Sequence, residues 1–178
     1  MEPLNRIVVA SDLSAHADRA LARAVRLAHE HAAPLTVLNV VDHVVGADAP
    51  PENLVKLLIG PAGEVVPALK QQAEQALRAK LDALAPPLAQ AEVAVRVGSA
   101  FLEIIRQARE GACDLVVLGA HGGHFVKKWV LGTTAERVVR KGDRPVLVVK
   151  KAPRGPYRHL LAAMDFSDTA TGALRFAR

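Results

Sequence analysis

The sequence predicts the α/β class: an open, parallel, five-stranded sheet with helices on both faces. Two observations carry this. Apolar runs of strand length alternate with longer segments whose apolar residues recur at helical spacing, the signature of βαβ units. Within the first of these runs, RIVVA, the apolar residues are continuous rather than alternating, so that strand is buried on both faces, as a parallel sheet requires. A chain of 178 residues, 51% of them hydrophobic, suffices for one well-buried core and a remainder.

Residues 6–10 (RIVVA) read as the first strand. Ser14 then offers a helix cap, and Ala17, Ala20, Leu21, Ala24, Leu27 and Ala28 form one apolar stripe with Asp18, Arg19, Arg23, Arg26 and Glu30 outside it. Residues 35–41 (LTVLNVV) make the second strand. The stretch after it holds Pro50, Pro51, Gly60, Pro61, Gly63 and Pro67 and reads as loop with one short helical turn; its segment NLVKLLIG is apolar enough to pack on the domain or on a partner. From 68 to 84 the residues Leu69, Ala73, Ala76, Leu77, Leu81 and Leu84 trace a second helix, which Pro86 and Pro87 end. The third strand, 91–97 (AEVAVRV), alternates enough to lie at an edge. After Gly98 a helix turns Phe101, Ile104, Ile105 and Ala108 inward. The fourth strand is 114–118 (DLVVL), a helix spans about 133–140, and the fifth strand is 145–150 (PVLVVK). A Rossmann-like unit is thus complete by about residue 150, giving one domain over 1–150.

Residues 151–156 (KAPRGP) have linker composition. An internal repeat comes next: at a constant offset of 153, LAAMDFSDTATGAL (161–174) echoes VVASDLSAHADRAL (8–21), matching Ala10 with Ala163, Asp12 with Asp165, Ser14 with Ser167 and Leu21 with Leu174. Residues 157–178 therefore read as the first strand and the start of the first helix of an incomplete second copy.

Composition removes several function classes. No apolar run approaches the roughly 20 residues that span a bilayer, and MEPLNRIVVASD lacks the regions of a signal peptide, which predicts a cytoplasmic protein without membrane partners. Cys113 is the only cysteine, so no intrachain disulfide is possible, and GACDLVVLG makes it a small buried residue. The net charge of +5 invites a nucleic-acid reading, but the basic residues are spread along helices and aromatics are 3% of the chain, so a solvated basic surface is expected instead.

The stretch that carries chemistry is GAHGGHFVKKWVLGTTAERVV, 119–139, which leaves a buried strand and enters a helix at about Gly132 with the pattern G-x-x-G-x9-G-T. Phosphates carry dense negative charge. Glycines let backbone N–H groups approach them closely, and a helix N-terminus adds partial positive charge. Thr133 and Thr134 add hydroxyl donors in the first helical turn and can cap it. Such a site lies at the carboxyl ends of the strands. The spacing is neither the dinucleotide G-x-G-x-x-G nor a P-loop.

The strand LVVLG, the glycine pattern, the helix AERVV and the strand RPVLVVK together resemble the nucleotide motif of the ATP-binding universal stress proteins, and VVASDLS and LNVVD resemble the same family. The likeness covers residues 5 to 150, and the repeat makes the chain similar to tandem members. The resemblance implies the adenine nucleotide alpha-hydrolase-like version of the Rossmann-like fold, with ATP as ligand, with or without Mg2+. It implies that Ala10, Ser11, Asp12 and Val40 hold adenine and ribose, Asp12 accepting from ribose hydroxyls or helping to place a cation. Leu118 and Gly119 would line the nucleoside side, and Gly122, Gly132, Thr133 and Thr134 would take the phosphates. It further implies association through the fifth strand, either as a homodimer or between tandem halves. Ala10 stands where the family often has proline, and Thr133 and Thr134 where serine and valine are common; both changes keep the backbone donors.

Blander readings stand beside these. Asp12 also suits a cap for the first helix. His121 and His124 are three apart but lie in a glycine loop with no third ligand evident, so no metal site is expected. Lys127 and Lys128 read as a solvated pair, and Trp129 as packing on the domain or over the loop. The functional expectation is a nucleotide-binding stress-response regulator rather than an enzyme, since the loop offers no carboxylate between Asp114 and Glu136 to serve as a general base. The alternatives are a slow ATPase or nucleotidyl transferase on the same site, and a scaffold that binds no nucleotide because residues 46–67 occlude the loop.

Overall fold

Five parallel strands, β1 (Ile7–Ala10), β2 (Leu35–Val41), β3 (Ala91–Val97), β4 (Leu115–Gly119) and β5 (Val146–Val149), form one sheet in the order β3-β2-β1-β4-β5. The computed structural model describes residues 4–41, 65–84, 88, 90–120 and 131–177. The α/β class, the five-stranded parallel sheet and the edge position of β3 expected from the sequence are all found. The chain builds outward from β1 to β3 and then returns to the other side of β1 for β4, so the strand order reverses between β1 and β4. That reversal opens a crevice at the carboxyl ends of these two strands.

The continuous apolar runs are used on both faces. Ile7 and Val9 of β1, Leu35 and Val37 of β2, and Leu115 and Val117 of β4 enter one core, together with Ala20, Leu21 and Ala24 of α1 (Ala15–His31) and Leu77 of α2 (Val65–Asp82). Val8, Leu38, Val116 and Leu118 point the other way, against Ile104, Ile105 and Ala108 of α3 (Ala100–Glu110) and Ala135 and Val138 of α4 (Thr133–Lys141). Helices thus cover both faces. A buried residue of this kind contributes about 1.5–3 kcal/mol, so β1, whose Ile7, Val8 and Val9 are all fully buried, is the central girder.

Three local differences from the sequence-based expectation have physical causes. Helix α2 starts at Val65, before Pro67, because proline in the first helical turn has no intrahelical N–H bond to lose. Arg23, placed outside the apolar stripe of α1 by periodicity, is buried at 6% exposure. Its stem extends the stripe and its head is covered by residues after β5. Finally, residues 157–165, expected to open with a strand, form none, whereas α5 (Asp168–Ala177) does form. A strand is a paired state: β1 is hydrogen-bonded to β2 on one side and β4 on the other, and residues 157–165 have no such neighbours among the described residues.

Cys113 is fully buried, and that burial pushes its thiol pKa up, as expected of a small core residue. Among the described residues, no helix is long and apolar enough to cross a membrane.

Candidate functional site

At the carboxyl end of β1, three residues make a tightly bonded turn. The Ser11 N–H donates to the Leu38 carbonyl (2.9 Å), extending the β1–β2 ladder by one residue. The chain then bends through Leu13 at φ 65°, a left-handed conformation that costs a side-chain-bearing residue about 1–2 kcal/mol. Local bonds offset that cost. Ser11 Oγ accepts from the Leu13 N–H (3.2 Å), Asp12 Oδ1 accepts from the Ser14 N–H (3.0 Å), and Ser14 Oγ accepts from the Ala17 N–H (3.3 Å) as the N-cap of α1. Asp12 is left on the rim, its carboxylate oriented by the turn.

Sequence reasoning missed one member of this arrangement. Asn39 of β2 is buried, and its Nδ2 donates to the Ser11 carbonyl at 2.7 Å. It ties the turn to the neighbouring strand. The signal was a single amide side chain inside the apolar run LTVLNVV.

The second half of the site lies where β4 leads to α4. The Ala120 N–H donates to the Val149 carbonyl (3.0 Å) and the Gly132 N–H to the Ala120 carbonyl (2.8 Å), which brings residues 120 and 132 together. Gly132 is the N-cap of α4, and no side chain caps that helix. The expectation that Thr133 or Thr134 caps it is therefore corrected: Gly132 has the extended φ, ψ of a cap, which makes Thr133 and Thr134 the first two helical residues. Thr133 is exposed and Thr134 half-buried. Opposite them, Gly119 lies against α1: a Cβ there would stand 3.1 Å from the His16 carbonyl oxygen. Its missing side chain thus lets β4 approach the first turn of α1, a packing role.

The model of the universal stress protein family matches residues 3–150. The chain belongs to the universal stress protein family. The chain is 27% identical over 156 residues to universal stress protein MJ0577 of Methanocaldococcus jannaschii, covering 82% of this chain and 94% of the relative. It is 29% identical to YxiE of Bacillus subtilis, with 82% and 99% covered. Among solved structures, that of MJ0577 matches with a TM-score of 0.67 at 25% identity over 84% of this chain and 97% of the other, and UspA of Lactobacillus plantarum with 0.61 at 27% over 84% and 100%. A universal stress protein solved in complex with cAMP shares the fold, at 22% identity and a TM-score of 0.55, over 84% and 98%.

In this universal stress protein, Ala10 ends β1 with Ser11 and Asp12 directly after it, Val40 lies half-buried near the end of β2, and Leu118 and Gly119 end β4. The β1–β4 register runs Ile7 to Val9 against Leu115 to Val117, so Ala10 comes level with Leu118. The fold therefore brings these residues to one end of the sheet, with Gly132, Thr133 and Thr134 joined to it through Ala120. Leu118 is itself a core side chain, so only its backbone is available there. Gly122, His121, His124, Lys127, Lys128 and Trp129 lie outside the described residues, as do residues 46–64 of the insert. Among the described residues, no three His, Cys, Asp or Glu side chains gather as a metal would need. A cavity of about 260 Å³ lined by Arg6, Thr36, Gln90 and Glu92 sits at the opposite, amino ends of β1 to β3. It includes neither a glycine turn nor a helix N-terminus, and the Thr36 hydroxyl is spent on Glu92 (2.8 Å), so the chemistry favours the carboxyl end.

Proposed function

We propose that this universal stress protein binds an adenine nucleotide, ATP above ADP and AMP, in the crevice between β1 and β4, and acts as a regulator whose nucleotide state controls an association surface. The observation that supports it most is the N-terminus of α4. Gly132 leaves the first-turn amides without a side-chain cap, next to the strand-order reversal where open parallel sheets take their ligands. Gly132, Thr133 and Thr134, with Gly122, would take the phosphates; the Gly132 N–H is already given to the Ala120 carbonyl, so Gly132 would contribute close approach and the two threonines the amides and hydroxyls. Ala10, Ser11, Asp12, Val40, Leu118 and Gly119 would hold the nucleoside. The donor set fits the ligand: backbone amides and hydroxyls for the phosphates, and the Asp12 carboxylate for ribose hydroxyls or for Mg2+. A bound Mg2+ would supply charge neutralisation on the phosphates. A universal stress protein of the same fold has been solved with cAMP, which makes adenine nucleotides the ligand class to test first.

Calorimetric titration with ATP, ADP and AMP, repeated on Gly122→Val, tests the reading. Affinity should rise with phosphate number and fall about tenfold or more in the variant, the equivalent of about 1.4 kcal/mol. Equal binding of all three nucleotides by both proteins would refute the phosphate site. Turnover above roughly 1 per second, an ordinary enzymatic rate, would overturn the regulatory role.

The association surface in this proposal is β5. Its Pro145 and Val149 neighbours point their carbonyls at β4, so the N–H groups of Val146 and Val148 face away from the sheet and can accept another strand, as a homodimer or between tandem halves. Sedimentation of Val148→Pro should show loss of the dimer with the fold intact; an unchanged dimer rules out this edge. We also propose that residues 1–150 form one family domain, that 151–156 are a connector, and that 157–178 begin a second copy. The turn at Asp165 supports this. The Ser167 N–H donates to Asp165 Oδ1 (3.0 Å), the Ala170 N–H donates to Ser167 Oγ (3.1 Å), and Phe166 stands at φ 62°, bond for bond the geometry of Asp12 to Ala17.

A further inference from the structure

Two arginines on successive turns of α1 hold the chain that leaves β5. Arg19 Nη1 donates to the Lys150 carbonyl at 3.2 Å, and Arg23 Nη1 donates to the Gly155 carbonyl at 2.9 Å. The Arg23 guanidinium carbon also lies 4.1 Å from the centroid of the Tyr157 ring. Arg23 is one of the most enclosed charged side chains among the described residues, its Nε is buried without a hydrogen-bond partner, and no carboxylate among the described residues pairs with it. A guanidinium buried this way is unfavourable unless its cover compensates. Here the cover is a carbonyl and an aromatic ring from a segment 132 positions away in sequence.

The repeat isolates this pair from the needs of the fold. At the offset of 153, the core-facing Ala17, Ala20, Leu21 and Ala24 return as Ala170, Ala173, Leu174 and Ala177, whereas Arg19 and Arg23 return as Gly172 and Phe176. The repeat thus keeps the apolar positions of the helix and neither arginine. Their position in the first copy answers to the segment that crosses it.

We infer that residues 150–157 are not a free linker but an arm clipped to α1 by Arg19 and Arg23, and that this side of α1 is the seat from which the segment beyond Tyr157 is presented. The direction of the arm has a consequence for the site. Helix α1 begins at the carboxyl end of β1 and runs back along the sheet, so the step from Arg19 to Arg23 leads one turn away from the candidate nucleotide crevice. The arm therefore heads along α1 away from the crevice, and Leu160, Leu161 and Phe166 beyond it are all exposed. Pro153 and Pro156 limit the arm's freedom when it is detached, which lowers the entropy lost on clipping. The clamp stands whether or not the crevice binds a nucleotide.

Trypsin tests it, because Lys150, Lys151, Arg154 and Arg158 put cleavage sites along the arm. Under native conditions cleavage at Lys151 and Arg154 should be slow in the wild type and about tenfold or more faster in Arg23→Leu, which keeps a buried apolar stem and the thermal midpoint. Should Arg23→Leu fail to fold, Tyr157→Ser removes the ring and leaves α1 untouched, and it should give the same acceleration. Tyr157 is the only tyrosine, so fluorotyrosine labelling yields a single ¹⁹F resonance, which should move toward its unfolded position in Arg23→Leu. Cleavage as fast in the wild type as in the variants, or a resonance indifferent to Arg23, would overturn the clamp.

Discussion

The turn at Asp12–Ser14 and the turn at Asp165–Ser167 share their Asp and Ser side-chain bonds and a central residue in the left-handed conformation, yet they sit in opposite surroundings. Before the first, Ile7 and Val8 are fully buried in a strand flanked on both sides; before the second, the equivalent Leu160 and Leu161 are 59% and 100% exposed and form no strand. The difference separates two kinds of information. An Asp-x-Ser turn and its helix cap are written in adjacent residues and form wherever those residues occur. A strand is written in its neighbours, and apolar residues alone do not make one.

The sharpest way to break this comparison is to place a carboxylate at equivalent strand positions. Val8→Asp puts an unpaired charge between two cores and should abolish cooperative folding, a loss above about 4 kcal/mol, whereas Leu161→Asp should change stability by less than about 0.5 kcal/mol. Thermal melts followed by circular dichroism decide it: comparable losses would mean that 160–163 is packed after all. Glycines extend the contrast. Gly119→Ala forces its methyl against the His16 backbone and should cost about 1–3 kcal/mol, while Gly155, with nothing within 4 Å of an added Cβ, should accept alanine with little change in urea midpoint.

Smaller effects probe the caps. Ser14→Ala should cost about 1 kcal/mol of global stability, because α1 is part of the core, whereas Ser167→Ala should only speed amide exchange within α5. A global loss from Ser167→Ala would show that α5 is integral to the first domain. The smallest effect is on pH dependence. Hydrogen bonds from the Ser167 side chain and then its backbone hold the Asp165 carboxyl below its usual range. A depressed folded-state pKa means that the stabilisation is present above the unfolded value of about 3.9 and disappears as pH falls through the folded value. Protection factors in α5, that is, exchange corrected for the intrinsic pH dependence of amide exchange, should therefore fall only below about pH 4, and a fall between about pH 5 and 7 would contradict this origin.

How much was legible obeys the same division. The parallel sheet could be read because β1 and β4 are unbroken apolar runs and β2 is nearly one, and the edge position of β3 because AEVAVRV alternates. The two halves of the candidate site could be read because each is a local pattern, VVASDLS and the glycines leading to Thr133. Asn39 was hidden inside an apolar run, and its tie to Ser11 exists only once β1 and β2 are paired. Arg23 was hidden more deeply. On a helical wheel it belongs to the solvated side, and only the fold brings Gly155 and Tyr157 across to cover it. The missing strand at 157–165 is the converse case, a correct local pattern without the pairing that would realise it.

The central claim is that of two look-alike turns only the first borders a nucleotide crevice, and a ¹H–¹⁵N titration of the whole chain with ATP tests it in one experiment. The expected result is a set of amide shifts at Ser11, Asp12 and Gly132 to Thr134, with Met164 to Ser167 unmoved. Shifts of similar size at Asp165 and Ser167, or none at Gly132 to Thr134 at saturating ATP, would contradict it.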